Sequence, residues 1–306
     1  MIDATTQINL GICRMESKDR DFFLEKIAVA TRLIQSGRLL FFQPQPLPAG
    51  RRIVSLPCSR LIVPLAGVVP ITFAGEHGIA RFDGGPGDVF YAPPFGWSDP
   101  HWDQKMEFIS LVFQPEYIRL VHVGHDGGRV DWEPSEHKTW YHTSCGPGRV
   151  IGLQLGVMNA YAMHNSNDKS LALRQLIIMI EEAAAQLKSD PPHRLSRSHI
   201  TLLHIKDYLK ENYQNPIGRD DVAAAFRLNR CSVSRLFMEN QESFTSYLQS
   251  LRLENAVHLM KNSQLSIKEI AARTGFNSMG YFIRVFALRY GVTPNIFRNN
   301  DMQTGL

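Results

Sequence analysis

The sequence predicts a multidomain α+β chain: an amino-terminal β-barrel or jelly roll, then linking helices, then an all-α carboxy-terminal domain. Three observations predict this fold class. The chain has 306 residues, enough for about two domains. Short apolar runs separated by glycine and proline fill much of its first half. Amphipathic helical patterns flank that segment and occupy the last third.

Composition excludes several classes of protein. Hydrophobic residues make up 44% of the chain and charged residues 20%, which excludes a disordered or collagen-like protein. We see neither a secretory signal nor an apolar run of the ~20 residues that span a bilayer, so we expect a cytoplasmic protein with no membrane partner. The four cysteines form no CxxC pair, which indicates reduced thiols without a disulfide framework or a zinc site.

The excess positive charge lies in the last third of the chain. Residues 1–199 contain 20 Lys and Arg against 20 Asp and Glu, whereas residues 200–306 contain 13 against 9. A localised positive surplus is typical of a module that binds a polyanion, although solvated helical domains often show one too.

The amino-terminal half begins with a helical arm, residues 1–38, followed by a strand-rich region, residues 39–148. Residues 17–35 have apolar positions at helical spacing, and Gly37 is a suitable stop. Turn signals such as 83–87 and 93–96 then separate short apolar runs that read as strands. These runs are 61–63, 71–73, 79–82, 88–91 and 108–113.

Residues 149–198 are predicted to form a helical linker or dimerisation region. Its second helix carries an apolar stripe that we define by Leu173, Ile177, Ile180, Ala184 and Leu187. This stripe could contact a second copy of the chain or pack on its own barrel, and the pattern leaves both open. A Pro-Pro pair at 191–192 ends the helix.

The last domain, residues 199–300, contains one pattern twice. The apolar and small residues of 222–229 recur at 270–277, and those of 235–237 recur at 284–286. Each copy predicts a short helix, a tight turn and a second helix, with Ala223 and Ala271 permitting close helix crossing. Ser266 begins a capping box and Gly275 supplies a left-handed turn residue. The sequence thus predicts two tandem helix-turn-helix units, with a plain helical bundle as the alternative.

A continuous helix is predicted to join the two units. Its 18 residues, 245–262, span ~27 Å at ~1.5 Å per residue. One turn of B-DNA is ~34–36 Å, so this helix can set two recognition helices in successive segments of the major groove.

The motifs of this domain resemble those of the AraC/XylS family of bacterial transcription regulators. The resemblance rests on residues 267–276, 281–286 and 291–294 together with Arg298. It implies recognition helices at about 230–238 and 278–288. Two departures stand out: the usual glycine is missing from 240–243, and Gly280 replaces a larger polar residue. The DNA-facing residues implied are Cys231, Ser234, Arg235, Met279, Gly280, Tyr281 and Arg284.

Arg235 and Arg284 are the strongest candidates for reading bases. An arginine in the major groove can donate two hydrogen bonds to guanine, worth ~1–3 kcal/mol of discrimination. A phosphate contact or a surface ion pair is the alternative for either residue. For Cys231 we favour a small packing contact over redox sensing.

The strand region resembles the second motif of cupin barrels over residues 87–96, followed by His101. The matching first motif offers only a Glu-His pair at 76–77 without His-x-His, so we expect no metal and no other cofactor. Aromatic and hydrogen-bonding side chains would suit a sugar or another small polar ligand, while core packing and ordinary surface roles are the alternative. The candidate ligand-binding residues are His77, Arg81, Tyr91, Trp97, His101 and Trp102.

The expected function is ligand-responsive regulation of transcription, without enzymatic activity. The expected partners are double-stranded DNA, a small-molecule effector, a second copy of the chain and, as the resemblance implies, RNA polymerase. Activation over repression is also implied only by the resemblance. Two alternatives remain: a metal-dependent cupin enzyme, and a constitutive DNA-binding protein whose barrel only dimerises.

Overall fold

The computed structural model describes residues 17–44, 54–75, 78–114, 117–127, 136–142, 148–164, 169–189 and 196–304. The chain divides into two compact units, and the division falls between residues 194 and 195. The amino-terminal unit contains the predicted arm, strand region and linking helices together, and the carboxy-terminal unit contains the tandem repeat.

The amino-terminal unit combines three helices with ten strands in the described residues. The helices are α1 (Ser17–Leu33), α2 (Gly148–His164) and α3 (Lys169–Ser189). The strands are β1 (Leu39–Phe41), β2 (Val54–Ser55), β3 (Ser59–Gly67), β4 (Val69–Gly75), β5 (Gly78–Gly84), β6 (Val89–Ala92), β7 (Trp97–Pro100), β8 (Lys105–Phe113), β9 (Ile118–Asp126) and β10 (Glu136–His142).

The strands form two sheets. The larger has the order β1-β6-β3-β8-β9-β10 and the smaller β2-β7-β4-β5. Neighbouring strands are antiparallel except β1 and β6, which are parallel. The strand-rich fold class is therefore confirmed, with one qualification in geometry: the described strands make two separate sheets and do not close into one barrel.

The larger sheet is buried on both faces. Along β3, Leu61 and Val63 pack against α1, α2 and α3, whereas Ile62 between them packs against Ile71 and Phe73 of the smaller sheet. Because successive side chains of a strand point to opposite faces, this sheet forms the middle layer between the helices and the smaller sheet. Burial on both faces explains why its strands read as continuous apolar runs.

The apolar stripe of α3 packs within its own unit. Ile180 and Leu187 are fully buried in the core that α1, α2 and the larger sheet share, and Leu173, Ile177 and Ala184 pack against this core. Of the two readings of this stripe, the structure supports internal packing.

The carboxy-terminal unit is entirely helical in its described residues. Its helices are α4 (Arg197–Asn212), α5 (Arg219–Ala225), α6 (Arg230–Met238), α7 (Phe244–Asn262), α8 (Ile267–Arg273), α9 (Met279–Tyr290) and α10 (Pro294–Thr304). Two separate apolar cores form around α4–α6 and around α8–α10, and α7 contributes to both. Among the helices described in both units, none has the length and apolarity needed to cross a membrane.

Candidate nucleic-acid interface

The first helix-turn-helix unit consists of α5 and α6. The Asp221 carboxylate accepts a hydrogen bond from the Gly218 N–H at 2.7 Å, and the Asn229 side chain caps α6 by accepting from the Ser232 N–H at 2.7 Å. Between the helices, Arg227 has a left-handed backbone with φ 52°. Ala223 is buried at the helix crossing, as its small size predicts.

The second unit, α8 and α9, repeats this arrangement. It has a Ser–Glu capping box at its start and a glycine at the left-handed turn position. Ser266 and Glu269 form the predicted capping box, with the Glu269 carboxylate accepting from the Ser266 N–H at 2.8 Å. Hydrogen bonds from the Ser266 side chain and backbone hold the pKa of Glu269 below its usual value. Gly275 takes the left-handed position, φ 82°, that Arg227 occupies in the first unit. Ser278 caps α9 by accepting from the Tyr281 N–H at 3.3 Å.

The outward face of α6 carries three of the residues that the sequence predicted to face DNA. Val233, Leu236 and Phe237 bury the inner side of this helix. At 3.6 residues per turn, Cys231 and Arg235 then point away from the core, and both are exposed. The third, Ser234, is half-buried beside them.

Arginine side chains surround this outward face. The Arg219 guanidinium donates to the Ser234 hydroxyl at 3.1 Å, and Arg235 lies 3.8 Å from the Glu239 carboxylate. An open cavity of about 550 Å³ lies here. It is lined by Arg219, Arg230, Cys231, Ser234, Arg235, Met238 and Glu239. Two of its three guanidinium groups face carboxylates, Arg230 with Asp220 at 3.3 Å and Arg235 with Glu239, so the net charge here is positive and suits an anion.

The outward face of α9 has a different chemistry. Tyr281, Arg284 and Leu288 follow each other at spacings of three and four, so they share one side of the helix. The Gln249 side chain of α7 donates to the Tyr281 hydroxyl at 3.0 Å, and the Arg284 guanidinium stacks 5.3 Å from the centre of the Tyr281 ring. Leu288 is 87% exposed and occupies the position that Glu239 has in α6. Arg284 is therefore held by an aromatic ring, whereas Arg235 is held by a carboxylate.

The other two residues predicted on α9 lie in different surroundings. Gly280 is exposed near the start of the helix, next to Tyr281. Met279 is 43% exposed but lies about 140° around the helix from Arg284, so it faces away from the arginine side.

Sequence reasoning missed several side chains of these faces. Arg219 and Gln249 lie outside the implied recognition helices. Arg230, Met238 and Leu288 lie within them but were not among the implied DNA-facing residues. The sequence repeat could have pointed to Leu288, because the 49-residue offset makes it the equivalent of Glu239. Gln249 gave none, because it comes from the joining helix and reaches Tyr281 only in the folded unit.

The predicted ligand residues of the amino-terminal unit do not gather at one place. Tyr91 is buried on the helix side of the larger sheet, where its hydroxyl donates to Asn159 Oδ1 at 2.7 Å and burial raises its pKa. Trp102 packs between the sheets, against Phe108 and His125. These two aromatic rings thus lie on opposite faces of one sheet.

His101 and Arg81 come together on the outer face of the smaller sheet. His101 Nε2 lies 2.8 Å from the Thr72 hydroxyl, and Thr72 is the cross-strand partner of Arg81. Arg81 also lies 3.5 Å from the Asp83 carboxylate. Trp97 is 1% exposed, and His77 lies outside the described residues.

Metal ligation was not expected. Within the ranges described above, no three His, Cys, Asp or Glu side chains are arranged to hold a metal ion. Cys58 is buried and Cys231 is exposed, and neither of them forms a disulfide.

Comparison with known proteins places the second half of the chain. The helix-turn-helix domain family matches residues 222–300. The chain is 27% identical to YijO, an uncharacterized HTH-type transcriptional regulator of Escherichia coli K12, over 86% of this chain and 89% of that relative. It is 38% identical to YfiF, an uncharacterized HTH-type transcriptional regulator of Bacillus subtilis 168, over 33% of this chain and 32% of that relative. A solved structure, the C-terminal domain of AraT, a response regulator from Geobacillus stearothermophilus, is 28% identical with a TM-score of 0.33, covering 34% of this chain and 88% of that one.

The matched region begins within α5 and contains the rest of both helix-turn-helix units, α7 between them, and the outward faces of α6 and α9. The carboxy-terminal unit is an AraC-type domain that binds double-stranded DNA. The chain is a transcription regulator with a carboxy-terminal DNA-binding domain of the AraC type.

Proposed function

We propose that the protein regulates transcription by placing α6 and α9 in two successive segments of the major groove. The observation that carries this proposal is the equivalent position of Arg235 and Arg284. Each lies on the exposed side of the second helix of its unit, opposite a buried apolar side. The 19 residues of α7 span ~28 Å between the units, close to one turn of B-DNA.

In this arrangement the two arginines read bases. A guanidinium can donate two hydrogen bonds to O6 and N7 of a guanine, which distinguishes it from other bases. Cys231, Ser234, Gly280 and Tyr281 would line the groove beside them, while Met279 would touch its wall. Arg219 and Arg230 would also lie beside the groove. Their positive charge would attract DNA phosphates without distinguishing one base from another.

Selection of bound duplexes from a random pool tests the DNA-binding proposal. We expect a preferred site that extends over two groove segments and contains guanine in each. Arg284→Ala should then cost ~1–3 kcal/mol at one or two base positions and leave the preference elsewhere intact. Arg289→Ala removes the same charge from another side of α9 and serves as the matched control.

Equal weakening of binding to all sequences by Arg284→Ala would reassign Arg284 to a phosphate contact. A footprint much shorter than two groove segments would contradict the two-helix arrangement.

The amino-terminal unit is proposed to bind a small polar ligand, such as a sugar, between its two sheets. Ser110 faces this space, as its cross-strand partner Ile62 does. Its hydroxyl is buried and has no hydrogen-bond partner in the described residues. Arg60 reaches into the same layer and donates to Ser98. Buried polar groups normally have partners, so a ligand hydroxyl or carboxylate would satisfy the Ser110 hydroxyl.

Thermal unfolding with sugars, sugar phosphates and aromatic acids tests this site. A specific ligand should raise the melting temperature in a concentration-dependent way, and Ser110→Ala should reduce the shift. Unfolding that no compound in this panel shifts would favour a constitutive DNA-binding protein.

A second copy of the chain is the proposed protein partner, and α2 is the proposed contact. The exposed side of α2, here called the α2 face, consists of Val150, Gly152, Leu153, Gly156, Val157 and Ala160. Leu153 is 69% exposed, and residues 150–163 contain no charged side chain. An uncharged apolar helix surface is typical of an interface.

The small residues on the α2 face support a second copy of α2 as its partner. Added Cβ atoms at Gly152 and Gly156 would meet open space, so a second helix backbone can approach closely. Two copies of α2 related by a two-fold axis would each present bulky Leu153 to the glycines of the other. In an isologous contact the same surface of both copies meets, so like charges on it would repel each other. The α2 face carries no charge and avoids this repulsion.

Sedimentation of the full chain tests the dimer. We expect a dimer for the unmodified chain and a monomer for Leu153→Lys, which places a charge on the α2 face. Glu181→Lys, an exposed change on α3, should leave the dimer intact. An unmodified chain that sediments as a monomer at tens of micromolar would contradict the proposal.

The regulator is further proposed to work in the cytoplasm as an activator that contacts RNA polymerase. The family resemblance supports this direction. In vitro transcription from a promoter that carries the selected site should rise when the protein is added. A fall would indicate repression.

A further inference from the structure

The midpoint of α7 joins the two helix-turn-helix units. Leu251 packs in the core of the first unit, and Leu253 packs in the core of the second. Arg252 lies between them, where neither core covers its side chain completely. The change from one core to the other therefore occurs at a single residue.

Arg252 is bound to the end of α4. Its Nε donates to the Tyr213 carbonyl at 2.9 Å, and one of its terminal nitrogens donates to the Asn215 carbonyl at 2.9 Å. Tyr213 is the residue that ends α4, and its side chain is buried in the first core. A cation is favourable there because the last carbonyls of a helix lack intrahelical partners and carry partial negative charge.

The turn of the second unit touches this same point. A Cβ atom on Gly275 would lie 2.4 Å from the Tyr213 carbonyl oxygen and 2.9 Å from Arg252 Nε. At Gly275 the α8–α9 turn therefore lies close against the end of α4. Three elements meet here: the C-cap residue of α4, the midpoint of α7 and the turn that positions α9.

We propose that Arg252 is a positioning residue that fixes the distance and twist between α6 and α9. The two helices then act as one rigid reader, and the protein selects DNA by the spacing between half-sites as well as by their sequence. This inference rests on the proposed binding of both helices to one duplex.

The geometry of DNA makes such a rigid reader sensitive to spacing. One added base pair moves a half-site by ~3.4 Å and rotates it by ~34°, since B-DNA has ~10.5 base pairs per turn. A reader that cannot follow this movement must lose contacts or deform the duplex. A flexible joint would absorb part of the movement.

Binding of the full chain to a spacing series tests the role of Arg252. The duplexes carry the selected site with one base pair removed, none changed, or one or two added between the half-sites. We expect the unmodified chain to lose about tenfold in affinity or more per base pair of misfit, comparable with one mismatched base. Arg252→Ala should reduce this loss to about threefold or less, with a smaller change at the best spacing.

Two further variants separate positioning from other effects. Arg252→Lys keeps the charge but cannot donate in two directions from a planar group, so we expect an intermediate spacing dependence. If Arg252→Ala fails to fold, as judged by helical circular dichroism, Arg252→Lys carries the test. Lys268→Ala removes an exposed charge from α8 and should leave the spacing dependence unchanged.

The shape of the spacing curve decides the outcome. Equal weakening at every spacing, with the steepness unchanged in both Arg252 variants, would show that Arg252 only supports the fold. A flat curve for the unmodified chain would also overturn the inference while leaving DNA binding intact. Failure to bind any duplex would instead refute the proposed arrangement of α6 and α9.

Discussion

Replacing Gly275 with alanine should destabilise the carboxy-terminal unit by about 2–5 kcal/mol. Two costs add up to this range. At φ 82° a side chain is strained in the left-handed region, at roughly 1–2 kcal/mol. The new Cβ would also lie 2.4 Å from the Tyr213 carbonyl oxygen, which is backbone and cannot move aside like a flexible side chain. Forced overpacking of this kind costs about 1–3 kcal/mol.

Gly291→Ala is the matched control for the steric part. Gly291 also has a left-handed backbone, φ 76°, but an added Cβ there meets nothing within 4 Å. This variant should therefore show the conformational cost alone, about 1–2 kcal/mol. The difference between the two variants measures the contact of Gly275 with the end of α4.

Urea unfolding followed by two signals assigns the effect to the correct unit. All four tryptophans precede residue 141, so tryptophan fluorescence reports on the amino-terminal unit. Circular dichroism at 222 nm also includes the helices of the carboxy-terminal unit. Gly275→Ala should shift the circular dichroism transition and leave the fluorescence transition in place. Equal destabilisation by Gly275→Ala and Gly291→Ala would refute the argument from close approach.

Three other changes probe the same unit. Arg227→Gly relieves a left-handed arginine and should raise the free energy of unfolding by about 0.5–1 kcal/mol in the same urea assay, whereas a lower midpoint would contradict the assigned strain. Ser266→Ala should cost about 1 kcal/mol by removing a helix cap, and an NMR titration should find the pKa of Glu269 raised towards its usual value. Burial lowers the pKa of His258 to about 4, so the unfolded chain binds the proton first as the pH falls. The free energy of unfolding should hold above pH 6.5 and decline by about 2 kcal/mol between pH 6.5 and 4, a figure reduced for partial solvent contact. The same decline in a His258→Gln variant would show that His258 is not its cause.

Local patterns predicted the elements of the fold closely. The capping box predicted at Ser266 begins α8, and the recognition helix that the family resemblance implied at residues 230–238 matches α6. The predicted strands 61–63 and 108–113 lie within β3 and β8. Such features depend on residues near each other in the chain, so periodicity and capping chemistry carry enough information to locate them.

The candidate ligand site was less predictable from local patterns. Tyr91 and Trp102 both read as pocket residues, yet Tyr91 faces the helices and Trp102 faces the smaller sheet. Both faces of the larger sheet are apolar, so the sequence carries no alternation that separates inside from outside.

The sequence by itself determined the tandem helix-turn-helix architecture and the equivalent arginines, because these follow from spacing, turn residues and helix caps. Only the tertiary structure decided which of two apolar helices is covered: the α3 stripe packs in its own core, while the α2 face stays exposed. It also brought Arg252, Tyr213 and Gly275 into contact across 62 residues of chain. An apolar pattern in the sequence indicates that a helix surface will be buried. Which segment covers that surface depends on how distant parts of the chain pack.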